Sequence, residues 1–103
     1  MEMLLFVSSK CPVCPRAEKI AKKLSREYNK NGLELNKVRL KTSEGKNLAD
    51  EFNIKATPTI VLLDEEENEW KRIVGVPDEN SLRGEIEKGL GLRKGLMQRL
   101  FGR

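Results

Sequence analysis

The chain has 103 residues, of which 38% are hydrophobic and 35% charged, and it contains no histidine. That length suits one domain, or one domain with a short tail, and the balance is too apolar for a disordered chain. The lack of histidine excludes histidine general bases, His-containing triads and the commonest zinc ligands.

No apolar run approaches the length of a transmembrane helix. Met1 to Ser9 lacks a basic stretch, so a secretory signal is not expected. The net charge is +4, and it is unevenly placed. Five of the 20 basic residues lie between Lys88 and Arg103, a stretch with no acid. The basicity therefore belongs to the tail. A nucleic-acid binder carries its charge on the domain, often beside exposed aromatics, so no nucleic-acid partner is expected.

Met3 to Val7 is apolar throughout and reads as a buried strand. From Pro12 to about Lys30, the residues Val13, Ala17, Ile20, Ala21, Leu24 and Tyr28 fall on one helical face. Pro12 suits the first turn of that helix, and Pro15 lies within or just after it. Asn31-Gly32 ends the helix. Leu33 to Leu40 alternates imperfectly and reads as a second strand. Ser43 is the expected cap of a short helix to Phe52 that buries Leu48, Ala49 and Phe52. Thr59 to Leu63 is a third strand. Asp64 to Asn68 is an acidic turn, Glu69 to Val74 a fourth strand, and Gly75 breaks it. Asp78 caps a helix carrying Leu82, Ile86 and Leu90. The order is β-α-β-α-β-β-α plus a tail. It implies an α/β domain with a four-stranded mixed sheet: a parallel pair from the βαβ unit, an antiparallel hairpin, and helices on both faces.

Cys11 and Cys14 are the two cysteines. They are too few for a disulfide framework, and without histidine they cannot close a four-ligand zinc site within one chain. What remains is redox chemistry, or a site shared between two chains. A Cys-x-x-Cys pair between a strand and a helix has a physical logic. Unpaired N–H groups at the helix start favour the thiolate of Cys11. Lys10 and Arg16 act in the same direction, and Pro12 restricts the backbone between the sulfurs. Cys14 is near enough to attack a mixed disulfide formed at Cys11.

Cys11-Pro-Val-Cys14 follows the first strand, Ala56-Thr57-Pro58-Thr59 precedes the third, and Gly75 follows the fourth. With these three features in order, residues 3 to 90 resemble the thioredoxin/glutaredoxin superfamily. The stretch Ser8 to Pro15 without a preceding βα unit is similar to the small glutaredoxin-sized thioredoxins of archaea and some bacteria. The resemblance implies a thioredoxin-like fold over residues 1–90 and a disulfide reductase with Cys11 as nucleophile and Cys14 as resolving thiol. It implies a cis Pro58 packed on the cysteine motif, and Thr57 offering backbone hydrogen bonds to an extended substrate. Pro12, Val13 and Gly75 would border that substrate. It further implies a cytoplasmic monomer acting on protein disulfides, with electrons from a flavin-dependent thioredoxin reductase. No cofactor or metal is expected beyond the Cys11–Cys14 disulfide itself.

The sequence departs from the superfamily in three places. Lys10 stands where thioredoxins carry a tryptophan, and the one Trp is Trp70 in the fourth strand. The strand before the cysteines holds no carboxylate, which leaves the proton acceptor for Cys14 unassigned; Glu18, one turn on, is either that acceptor or a solvated helix-face charge. Gly75-Val76-Pro77-Asp78 holds one glycine where glutaredoxins show two, which counts against the alternative of a glutathione-dependent glutaredoxin. A second alternative is a dimeric metal or iron–sulfur module using the same cysteines.

Residues 91–103 form the tail. Leu92, Leu96, Met97, Leu100 and Phe101 would lie on one side of a helix, with Arg93, Lys94, Arg99 and Arg103 around it. Such a helix packs on its own domain or on a second copy. It can also lie on an anionic membrane surface or dock on a partner.

Overall fold

Strand β1 (Glu2–Val7) forms the axis of the sheet because both of its faces are apolar and buried. The computed structural model describes residues 1–92. After β1 come α1 (Cys14–Tyr28), a 3-10 turn (Asn29–Asn31), β2 (Glu34–Arg39), α2 (Ser43–Glu51), β3 (Thr59–Leu63), β4 (Glu69–Val74) and α3 (Glu79–Gly89). The strands lie in the order β2-β1-β3-β4. β1 and β2 are parallel, while β3 is antiparallel to both β1 and β4. The expected mixed sheet with helices on both faces is thus present. The proposed helix over the tail lies, from residue 93 onward, outside the described residues.

Alternation along β1 splits the core in two. Met3, Leu5 and Val7 pack with Ile60 and Leu62 under α1 and α3, against Ala17, Ala21, Leu24, Leu82 and Ile86. Leu4 and Phe6 pack with Val61, Leu63 and Val38 under α2, against Ala49, Leu48 and Phe52. The two edge strands read differently. β2 and β4 are largely exposed and charged, which suits strands with one covered face.

Several boundaries depart from the sequence reading. Helix α1 begins at Cys14, with Val13 as its cap residue, so Pro12 precedes the helix and Pro15 takes the first turn. Starting at Pro12 would have required Pro15 to donate to the Cys11 carbonyl, and proline has no N–H. Val13 leaves the buried face for the same reason and is 38% exposed. In α2 the cap is Thr42, not Ser43: its hydroxyl accepts from the Gly45 N–H at 2.9 Å. Gly45 fits under the end of β2, where a Cβ would collide with the Arg39 carbonyl. Asp78 caps α3 as expected, accepting from the Ser81 N–H at 3.0 Å.

Candidate active site around the Cys11–Cys14 pair

The site lies at the end of the sheet where β1 and β2 finish and β3 begins. Cys11 and Cys14 form a disulfide with their Cα atoms 5.4 Å apart, in the usual range for such a bridge. Cys11 sits in the loop after β1, and Cys14 is the first residue of α1. Their surroundings differ. Cys14 is 4% exposed and belongs to the core under α1, whereas Cys11 is partly exposed at its rim. The Cys14 N–H donates to the Cys11 carbonyl at 3.3 Å, and the Arg16 and Ala17 N–H groups turn back to the Val13 carbonyl.

The other sequence-derived candidates gather at the same end. The Thr57–Pro58 peptide is cis, and Pro58 is fully buried. The Gly75 N–H donates to the Pro58 carbonyl at 2.8 Å. Gly75 holds a φ of +92°, a conformation that glycine adopts without a Cβ penalty. The Ser8 and Thr57 hydroxyls are hydrogen-bonded at 2.9 Å, which ties the loop after β1 to the residue before the proline. Val13 is exposed between the cysteines, and Val74, 64% exposed, stands beside Gly75. Lys10 and Arg16 are exposed on either side of the cysteine pair.

A cavity of about 230 Å³ opens beside the disulfide, lined in part by Cys11, Cys14, Glu18, Lys37, Arg39 and Lys41. The sequence reading missed the three cations, because they come from β2 and the turn after it. Parallel pairing sets Val7 opposite Arg39 and thereby brings them to the cysteines. The alternation of β2 carried part of this signal, since Leu35, Lys37 and Arg39 share the face beneath α1. Glu18 accepts from Lys22 at 2.9 Å and from Lys37 at 3.1 Å. Those two hydrogen bonds hold its carboxyl below the usual carboxylate range. It is thus ionised near neutrality and poorly suited to accept a proton from Cys14. Asp78 is occupied as a helix cap, its carboxylate accepting from both the N–H and the hydroxyl of Ser81. Among the described residues, no group of three or more Cys, Asp or Glu side chains is placed to hold a metal ion. Among the same residues, no helix is long and apolar enough to cross a membrane.

A disulfide joining the loop after a central strand to the first residue of a helix, one sulfur accessible and one buried, is the apparatus of thiol–disulfide exchange. Comparison with known proteins agrees. A family model described as a thioredoxin-like domain matches residues 2–90. A probable thioredoxin of Archaeoglobus fulgidus is 38% identical over 86 residues, covering 84% of this chain and 86% of the relative. Thioredoxin-2 of a malaria parasite superposes with a TM-score of 0.74 at 31% identity, covering 84% of this chain and 81% of that one. Thioredoxin 1 of Thermosipho africanus superposes with a TM-score of 0.75 at 19% identity, over 91% and 99% of the two chains, and shows the shared fold. By the domain model and the archaeal relative together, this chain belongs to the thioredoxin-like domain family of thiol–disulfide oxidoreductases.

Proposed function

We propose that the protein reduces disulfides in other proteins by dithiol exchange. The observation that carries this reading is the unequal burial of the two sulfurs: Cys11 is accessible while Cys14 lies in the core. In the reduced protein, the Cys11 thiolate attacks one sulfur of the substrate disulfide, and the other substrate sulfur leaves as a thiolate. Cys14 then attacks Cys11 and displaces the second substrate sulfur. Two electrons pass to the substrate, and the protein is left as the Cys11–Cys14 disulfide.

The exposed cations Lys10 and Arg16, on either side of the pair, favour the Cys11 thiolate. Pro12, Val13, Thr57, Pro58 and Gly75 border the substrate, whose extended segment pairs with the Thr57 backbone. No cofactor other than the disulfide is needed for exchange. The electrons return through a flavin-dependent reductase of the thioredoxin-reductase type, acting on the same accessible sulfur.

The test is exchange with a disulfide-bonded protein by the reduced wild type, Cys11→Ser and Cys14→Ser. Turnover should vanish in Cys11→Ser. Cys14→Ser should accumulate a covalent adduct through Cys11, visible as the summed mass. Turnover retained by Cys11→Ser, or an adduct formed through Cys14, would reverse the roles assigned to the two sulfurs.

A further inference from the structure

The cations around the disulfide have a property that exchange chemistry alone does not require. Between Ser8 and Arg16, and again between Lys37 and Lys41, every charged residue is basic. These are Lys10, Arg16, Lys37, Arg39 and Lys41. Lys37, Arg39 and Lys41 line the cavity beside the sulfurs, where the one carboxylate among the described residues is Glu18. Glu18 is already held by Lys22 and Lys37. Lys10, Arg16, Arg39 and Lys41 are exposed and form no ion pair among the described residues.

At the opposite end of the strands the sign reverses. Glu2, Glu34, Asp64, Glu65 and Glu67 line a shallow depression there. The segment Asp64–Glu69 holds five acids and no base. Separated charge of this kind orients an approaching partner, and it repels like charge from the end that carries the matching sign.

We infer that the substrates are proteins whose disulfide lies in an acidic segment, with an Asp or Glu side chain entering the cavity beside Arg39 and Lys41. This rests on the reductase reading above. The cavity opens at the sulfurs, so the segment that carries the scissile disulfide is the one able to place an anion in it. Arg39 offers a planar fork that matches a carboxylate, and Lys41 adds a second cation beside it. The disulfide supplies the reaction, and the carboxylate supplies register and approach rate.

The test uses the reduced full-length chain and three disulfide peptides, identical except for Glu, Gln or Lys on both sides of the cysteines. Second-order oxidation rates are followed by quenched mass analysis. At about 20 mM salt the Glu peptide should react at least about tenfold faster than the Lys peptide, and near 500 mM the ratio should fall below about threefold. The double variant Arg39→Gln/Lys41→Gln should bring the low-salt ratio below about threefold. The double variant Arg26→Gln/Lys30→Gln removes the same charge from the last turn of α1 and the 3-10 turn after it, and should keep the ratio. Equal rates for the three peptides would overturn the inference while leaving the reductase reading intact. So would a ratio lost equally in both double variants, or a glutathione mixed disulfide that outruns the Glu peptide. If no peptide oxidises the protein, the reductase reading fails and the inference fails with it.

Discussion

The two ends of the sheet are built from the same four strands and are used in opposite ways. At the far end, where β1 and β2 begin and β3 turns into β4, polar groups close the fold. The Asp64 carboxylate accepts from the Glu66 and Asn68 N–H groups at 2.9 Å each. The Met1 ammonium donates to the Gly32 carbonyl, and Asn36 donates to Glu2. At the thiol end, Lys10, Arg16, Arg39 and Lys41 have no such partners among the described residues, around a disulfide and a buried cis proline. The lesson is that a sheet separates its tasks along the strand axis. One end holds turns in place, and the other exposes charge around the disulfide.

The largest expected effect tests what the two ends share. Phe6 is fully buried in β1 and packs its ring at a tilt against Phe52, with centroids 6.1 Å apart. Phe6→Ala should lower unfolding stability by about 3–5 kcal/mol, read from denaturant melts, because both ends hang on the same core. A loss below about 1 kcal/mol would mean that the face under α2 contributes little.

A sharper comparison comes from two glycines. Gly32 at the far end and Gly75 at the thiol end have φ of +98° and +92°, and a Cβ on either meets nothing within 4 Å. Replacing each by Ala should cost a similar amount, about 1–2 kcal/mol, through backbone strain alone. Only Gly75→Ala should also slow disulfide exchange, since relief of its φ of +92° would move the backbone N–H that meets the Pro58 carbonyl. Equal exchange rates in the two variants would break the proposed division between the ends.

Asp64→Ala should cost about 1 kcal/mol by removing the acceptor of two turn N–H groups. Exchange with a neutral disulfide should stay unchanged, because the turn is remote from the sulfurs.

The smallest effect concerns Glu18. Its folded-state pKa is lowered by hydrogen bonds from Lys22 and Lys37, so its contribution is full above the ordinary carboxylate range. That contribution disappears as pH falls through the lowered value. Glu18→Gln should therefore cost under about 1 kcal/mol near neutral pH, with the gap from wild type closing in acid. A gap that persists at low pH would show packing rather than charge at this position.

Much of the sheet is legible from local pattern. The bounds of β3 and β4 follow from an unbroken apolar run, an acidic turn and a glycine. The caps at Asp78 and Gly32 follow from residue type. The start of α1 was harder to read, because Pro12 and Pro15 both suit a first turn. Only the hydrogen bond that Pro15 cannot donate decides between them. The cap of α2 was ambiguous in the same way. Thr42 and Ser43 are both good caps, and the position of Gly45 beneath the Arg39 carbonyl selects Thr42.

The sequence by itself determined that an apolar strand leads into a Cys-x-x-Cys pair at a helix start, with a Thr-Pro ahead of another apolar strand. Those are local facts, written in periodicity and in the conformational limits of proline and glycine. Only the tertiary structure decided that Cys14 is buried while Cys11 is not, that Gly75 meets Pro58, and that Lys37, Arg39 and Lys41 border the disulfide. Those facts depend on strand order and register, such as Val7 opposite Arg39. Register is chosen by burying apolar side chains from distant segments together, and no short window of sequence contains both partners.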